Sequence, residues 1–267
     1  MNKKTLLFSL FIICLALFGC SKTGDEYLNE AKQNYNAKEY EKAIQLYEKA
    51  CNKGSFQGCN ALAKLYNTEN EAVKKDVNKA DKFYKETAKF AEIECKNNNK
   101  DACSILAFLY ENGLGVDLNL ETSDTYQIQA CNLGSYGSCY YIARLKADNM
   151  DDFLMYMDKA CSYDFADACL AVGNTYLTGF NENMVKLNKD IDKGLSYINK
   201  ACQLNNQYCA NLADIYISGD DVIQNYTDAI KNYEMALHYY ESLCTTYDED
   251  NNACRNINII KSKYSIN

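Results

Sequence analysis

Twelve of the chain's 14 cysteines fall in six close pairs: Cys51 with Cys59, Cys95 with Cys103, Cys131 with Cys139, Cys161 with Cys169, Cys202 with Cys209, and Cys244 with Cys254. Four pairs are 8 positions apart, one 7 and one 10. Along a continuous helix eight residues rise about 12 Å, beyond the roughly 7 Å between Cα atoms that a disulfide can bridge. A turn must therefore interrupt each pair. Stretches such as Asn52-Lys53-Gly54-Ser55, Asn97-Asn98-Asn99 and Asn132-Leu133-Gly134-Ser135 supply it; Ser162-Tyr163-Asp164 is the weakest such signal. Each pair is thus expected to staple the end of one helix to the start of the next. Zinc is the rival reading, but seven residues between cysteines is not the short C-x2-4-C spacing of zinc sites.

The first twenty residues agree with an oxidising destination. Met1-Asn2-Lys3-Lys4 is a short basic start, Leu6 to Phe18 are apolar apart from Ser9, and Gly19-Cys20 follows. Such a run rises only about 20 Å as a helix and cannot span a bilayer core of roughly 30 Å, so residues 1–19 read as a signal peptide. Leu17-Phe18-Gly19-Cys20 resembles the lipobox of bacterial lipoproteins, which implies lipid on Cys20, a short tether over residues 20–24, and a place in the periplasm or at the outer membrane. Phe18 departs from the small or β-branched residue usual there, so free secretion is the alternative. Formal charge is −8, and −10 once the two signal-peptide lysines are gone. That balance argues against nucleic acid, whose binding needs clustered Lys and Arg.

Aligned on the second cysteine of each pair, the chain repeats. Cys59-Asn-Ala-Leu-Ala-Lys-Leu-Tyr66, Cys103 to Tyr110, Cys139 to Lys146, Cys169 to Tyr176 and Cys209 to Tyr216 share an aliphatic residue at +3, Ala or Gly at +4, and Tyr at +7 in four of five. These offsets mark one helical face, with a small residue where a neighbouring helix comes close. First cysteines recur at intervals of 44, 36, 30, 41 and 42, the period of a helix-pair solenoid, and the chain has no proline. The fold class expected is all-α: a right-handed α-solenoid of disulfide-stapled helix pairs over residues 25–267, about six pairs and a polar C-terminal capping helix.

Leu106-Ala107-Phe108-Leu109-Tyr110-Glu111-Asn112-Gly113-Leu114-Gly115-Val116 resembles the Sel1-like repeat signature. With the Lys-Ala-Cys segments and the Cys-x7-Cys spacing, the chain is similar to the Helicobacter cysteine-rich protein family of disulfide-bridged Sel1-like repeats. Residues 27–50 look like a tetratricopeptide hairpin without a staple. Only one repeat keeps Gly-x-Gly-Val, and the 30-residue unit between Cys131 and Cys161 has lost part of a loop.

Two functions follow as expectations. A binding scaffold, monomeric and without cofactor or metal, would use the variable +1 and +5 positions of the first helices for a protein, peptide or peptidoglycan-like ligand; these include Asn60, Lys64, Ser104, Phe108, Tyr140, Arg144, Asn174 and Asp214. Contact with a membrane would be through the N-terminal lipid alone. The alternative, weak β-lactamase or penicillin-binding activity, is implied by the resemblance only. No catalytic residue can be named: the chain contains no Ser-x-x-Lys or Ser-Asp-Asn, the isolated Lys22-Thr23-Gly24 lies in the expected tether, and a single histidine, His238, excludes a histidine-rich zinc site.

Overall fold

The computed structural model describes residues 22–218, together with residues 237, 238 and 241. The expected signal peptide, Cys20, the Cys244 and Cys254 pair and the expected capping helix lie outside the described residues. The chain divides into two compact units, Met1–Ser123 and Asp124–Asn267. The first holds α1 (Gly24–Asn36), α2 (Tyr40–Asn52), α3 (Phe56–Asn67), α4 (Val77–Lys96), α5 (Lys100–Asn112) and the opening turn of α6 (Leu120–Asn132). The second holds the rest of α6, then α7 (Tyr136–Leu145), α8 (Met150–Ser162), α9 (Ala166–Thr178), α10 (Ile191–Leu204), a 3-10 turn over Asn206–Tyr208 and α11 (Cys209–Ser218). Among the described residues all regular elements are helical, apart from an isolated bridge between Phe180 and Lys186.

Five disulfides join helix ends as the spacing requires: Cys51–Cys59, Cys95–Cys103, Cys131–Cys139, Cys161–Cys169 and Cys202–Cys209, with Cα separations of 4.5 to 4.8 Å. The four pairs spaced by eight share one turn. The residue three after the first cysteine is left-handed: Gly54, Asn98, Gly134 and Asp164 have φ between 62° and 97°. The next residue donates its N–H five positions back, Ser55 to Ala50 at 3.0 Å, Asn99 to Glu94 at 3.0 Å, Ser135 to Ala130 at 2.9 Å and Phe165 to Ala160 at 3.2 Å. This is the Schellman ending, for which Gly, Asn and Asp are suited because they tolerate positive φ. Asp164 thus supplies what the weak Ser162-Tyr163-Asp164 signal left open. In the pair spaced by seven no left-handed residue intervenes; Asn205 is extended, with φ −151°, and the 3-10 turn carries the chain to Cys209.

The α1–α2 hairpin makes the same turn without sulfur. Lys38 has φ 61°, Glu39 donates to Asn34 at 2.9 Å, and Tyr35 and Ala43 occupy the two cysteine positions. The backbone turn forms the corner; the disulfide locks it.

A second constraint acts at the other end of each pair. The residue capping the second helix donates its N–H to the carbonyl at +7: Asp76 to Tyr66 at 2.8 Å, Asn119 to Tyr110 at 2.9 Å, Asn149 to Lys146 at 2.9 Å and Asp190 to Tyr176 at 3.0 Å. The same residues then cap by side chain, Asp76 on Lys79 N–H, Asn119 on Thr122, Asn149 on Asp152 and Asp190 on Lys193. The connection can therefore vary while both ends stay fixed. In the 30-residue unit it shrinks to residues 146–149, with Lys146 still pinned although it is not tyrosine.

The repeat's apolar face is the core. Leu62, Leu106, Ile142, Val172 and Leu212 at +3 are at most 2% exposed, and Ala63, Ala107 and Ala143 at +4 are fully buried. Where +4 is Gly173, α9 and α10 nearly touch: a Cβ there would sit 2.5 Å from Ile198 Cγ1 and 2.9 Å from the Gly194 carbonyl oxygen. Gly115 is used differently, having φ 67° and lying against α4, where a Cβ would be 2.4 Å from the Lys85 nitrogen. Gly173→Ala should cost about 1–3 kcal/mol by overpacking. Gly137→Ala, whose Cβ meets nothing within 4 Å at an exposed helix position, is expected to be neutral or to stabilise by up to about 1 kcal/mol; urea titration of both variants checks the contrast.

Candidate functional site

In the second unit, α7 and the loop between α9 and α10 enclose an open cleft of about 720 Å³ lined by Gly137, Tyr140, Tyr141, Arg144, Leu145, Glu182 and Asn183. The five α7 positions recur at three and four, a second stripe beside the core stripe of Cys139, Ile142 and Ala143. Ser135 starts the helix, accepting from the Ser138 N–H at 3.4 Å. Tyr140 is held edge-on to Phe165 with centroids 5.2 Å apart, and Tyr136 stacks on the same ring at 4.9 Å. The aromatic wall is braced from behind.

The opposite wall comes from residues 179–190, the longest of the connections between pinned ends. Asn181, 5% exposed, organises it: its Oδ1 accepts from the N–H groups of Asn183 and Val185 at 3.0 Å each, and its Nδ2 donates to the Ala147 carbonyl at 2.5 Å. Asn183 Nδ2 donates to Asp148 Oδ1 at 2.7 Å. The long loop thus leans on the shortened link after α7. Met184 sits at its turn with φ 60°, a costly conformation for a methionine.

Arg144 joins the two walls. Its Nε donates to Glu182 Oε1 at 3.2 Å, and its guanidinium lies 5.9 Å from the Tyr140 ring centre. The hydrogen bond to Glu182 and that carboxylate's charge raise the guanidinium pKa further, which keeps Arg144 cationic.

Of the residues singled out from sequence, Tyr140 and Arg144 meet in this cleft. Asn174 is exposed on α9 and does not line it, and Asp214 is described by its backbone alone. Four others lie in the first unit: Lys64 Nζ is 6.0 Å from the Phe108 ring centre, Ser104 Oγ donates to the Lys100 carbonyl at 3.0 Å, and Asn60 Oδ1 is buried without a hydrogen-bond partner among the described residues. Sequence reasoning missed Gly137, Tyr141 and Leu145, which the second stripe on α7 signals. It also missed Glu182 and Asn183, for which no periodic signal exists. Lys22-Thr23-Gly24 has a structural role: Thr23 and Glu26 form a reciprocal capping box on α1, Lys22 pairs with Glu30 at 2.5 Å, and Gly24 packs against Ser55.

A second hollow of about 280 Å³ is lined by Asp151, Leu154, Met155, Asp158, Val172, Tyr176, Lys193 and Tyr197. Lys193 Nζ lies 4.3 Å from the Tyr176 ring centre, Tyr197 stacks on Tyr176 at 6.2 Å, and the Tyr197 hydroxyl donates to Asp158. Burial, then that hydrogen bond, pushes the Tyr197 phenol well above its ordinary range. The first unit repeats the sandwich with Lys79, Tyr66 and Phe83. A feature present in both units belongs to the helix-pair packing.

Antiparallel helix pairs of constant core and variable loops define a helix-pair repeat scaffold, here with disulfide-locked corners. Sel1 repeats match residues 24–55, 57–89, 100–135, 166–206 and 207–244, and the chain belongs to the Sel1 repeat family. One unmatched stretch, 136–165, holds the shortened link at residues 146–149. Cytochrome c oxidase assembly factor 7 of Xenopus tropicalis is 29% identical over 182 residues, 63% of this chain and 72% of that protein. Among solved structures, a Sel1 repeat protein from Oxalobacter formigenes superposes with a TM-score of 0.59 at 20% identity, covering 88% of this chain and 99% of that one. A protective antigen of uropathogenic Escherichia coli gives 0.48 at 13% identity, covering 90% and 65%.

Asn181→Ala should cost about 1–2 kcal/mol, because it strands a buried carbonyl and two loop N–H groups. Hydrogen exchange should accelerate over residues 180–187 while α10 keeps its protection.

Proposed function

We propose that the chain works outside the cytoplasm, held to a membrane by lipid on Cys20, as a scaffold that binds a peptide or protein segment in the α7 cleft. The observation that carries this is the cleft itself: an open space of about 720 Å³ whose tyrosines, leucine and single arginine stand on a rigid helix. Aromatic and arginine side chains dominate protein-binding energetics because they bury large areas at low conformational cost. The volume lies within the usual 300–1,000 Å³ of ligand sites. Local disulfides support the compartment, since they persist where thiols are not kept reduced. The Xenopus relative, named as an assembly factor, is consistent with holding a partner. For β-lactam turnover the cleft offers no serine or second cation beside Arg144.

The test is site-specific photocrosslinking in cells. A benzoylphenylalanine at Leu145, 55% exposed on the cleft, should yield a discrete protein adduct; the same group at Ile93, 53% exposed in the first unit, should not. Cys20→Ser should release the protein from the membrane fraction. Equal adducts at both positions would remove the cleft from the account, and robust nitrocefin hydrolysis by the purified protein would replace binding with catalysis.

A further inference from the structure

The chemistry of the cleft selects among peptide segments. Glu182 engages Arg144 through Nε alone. Beyond Glu182 its guanidinium has no ion-pair partner among the described residues; the Tyr140 hydroxyl is a weak hydrogen-bond neighbour, and the terminal nitrogens carry more donors than that one oxygen can take. An arginine held at Nε by one carboxylate and laid beside a tyrosine ring has little freedom left to lose on binding. What matches its remaining edge is a second carboxylate, taken through two parallel N–H···O bonds. The Glu182 carboxylate repels the incoming one, but both side chains of the pair are exposed, so water screens that repulsion, and the incoming group uses nitrogens that Glu182 does not.

The other lining residues say what stands beside that carboxylate. Tyr140, Tyr141 and Leu145 form an apolar wall along α7, and at Gly137 a Cβ would meet nothing within 4 Å. A ligand's apolar side chain fits on the wall and its backbone can pass over Gly137. Asn183, oriented by its bond to Asp148, presents an amide on the loop side.

We infer that the α7 cleft recognises a peptide segment bearing a carboxylate next to an aromatic or aliphatic side chain, with Arg144 taking the carboxylate and Tyr140, Tyr141 and Leu145 the apolar group. This rests on the cleft being the binding site. The carboxylate is either an acidic side chain or a peptide C-terminus. The protein's own acidity favours a contact of short range, at one oriented cation, over long-range attraction.

Three octapeptide mixtures with one fixed Phe, degenerate elsewhere without Asp or Glu, distinguish the sources when passed over the immobilised oxidised protein and quantified by mass spectrometry. One has Asp after the Phe and an amidated C-terminus, one has Asn there and an amidated C-terminus, and one ends in Phe with a free carboxylate. At least one carboxylate mixture should be retained about tenfold over the Asn amide, and the one retained identifies the source. Arg144→Gln should erase that preference while weak retention persists. Gly137→Leu, placed where an added Cβ meets nothing within 4 Å, fills the open floor and should abolish retention of all three. Equal retention of the Asn amide by the unmodified protein overturns the carboxylate assignment and leaves the cleft as a binding site. No retention, or retention unchanged in Gly137→Leu, overturns both.

Discussion

Everything in this fold depends on the corner at which one helix pair hands over to the next. The corner is a backbone structure: a left-handed residue, then an N–H that reaches five positions back. Lys38, inside the α1–α2 hairpin, shows that the same turn forms without sulfur, at a cost of about 1 kcal/mol for a residue with a Cβ in that conformation. The disulfide adds rigidity. Closing a nine-residue ring removes about 2.5 kcal/mol of freedom from the unfolded chain on the entropic account of disulfides. It also fixes the start of each first helix relative to the helix before it, so the +3 and +4 residues arrive at the same depth in every repeat.

With that corner locked and the +7 carbonyl tied to the next helix cap, the connection between them is released from structural duty. It ranges from three positions, Lys146 to Asn149, to fourteen, Tyr176 to Asp190, with both ends tied in the same way, and this freedom is where the cleft originates. The link after Lys146 is cut to residues 146–149, and residues 179–190 from the following repeat lean over it through Asn181 and Asn183. Loop loss in one repeat and loop growth in the next make one wall of a cleft, and α7 makes the other. Binding residues on a scaffold of this kind are placed by rigid helices and varied by loops, a division that suits recognition.

The fold was legible because its signals are local. Cysteine spacing demands a turn, the +3, +4 and +7 residues mark a core face, and Ser55, Asn99 and Ser135 announce helix starts. Asp164 was harder, since a left-handed aspartate leaves little trace in composition, whereas Asn205-Asn206 marked the turn of the seven-spaced pair without revealing its 3-10 form. Tyr140 and Arg144 were visible as variable positions on one helical face. Glu182 and Asn183 were not, because their place depends on hydrogen bonds to Ala147 and Asp148, more than thirty residues earlier in the chain. Reading every first helix as one continuous ligand face also spread the candidate residues over both units, whereas Tyr140 and Arg144 share a single cleft.

Peptide mapping under non-reducing conditions, with thiols blocked before digestion, tests the central claim most directly. The account predicts that Cys51, Cys95, Cys131, Cys161 and Cys202 are each linked to the cysteine seven or eight positions on, with no free thiol among those ten. Links between cysteines of different repeats, or several free thiols in freshly purified protein, would contradict it.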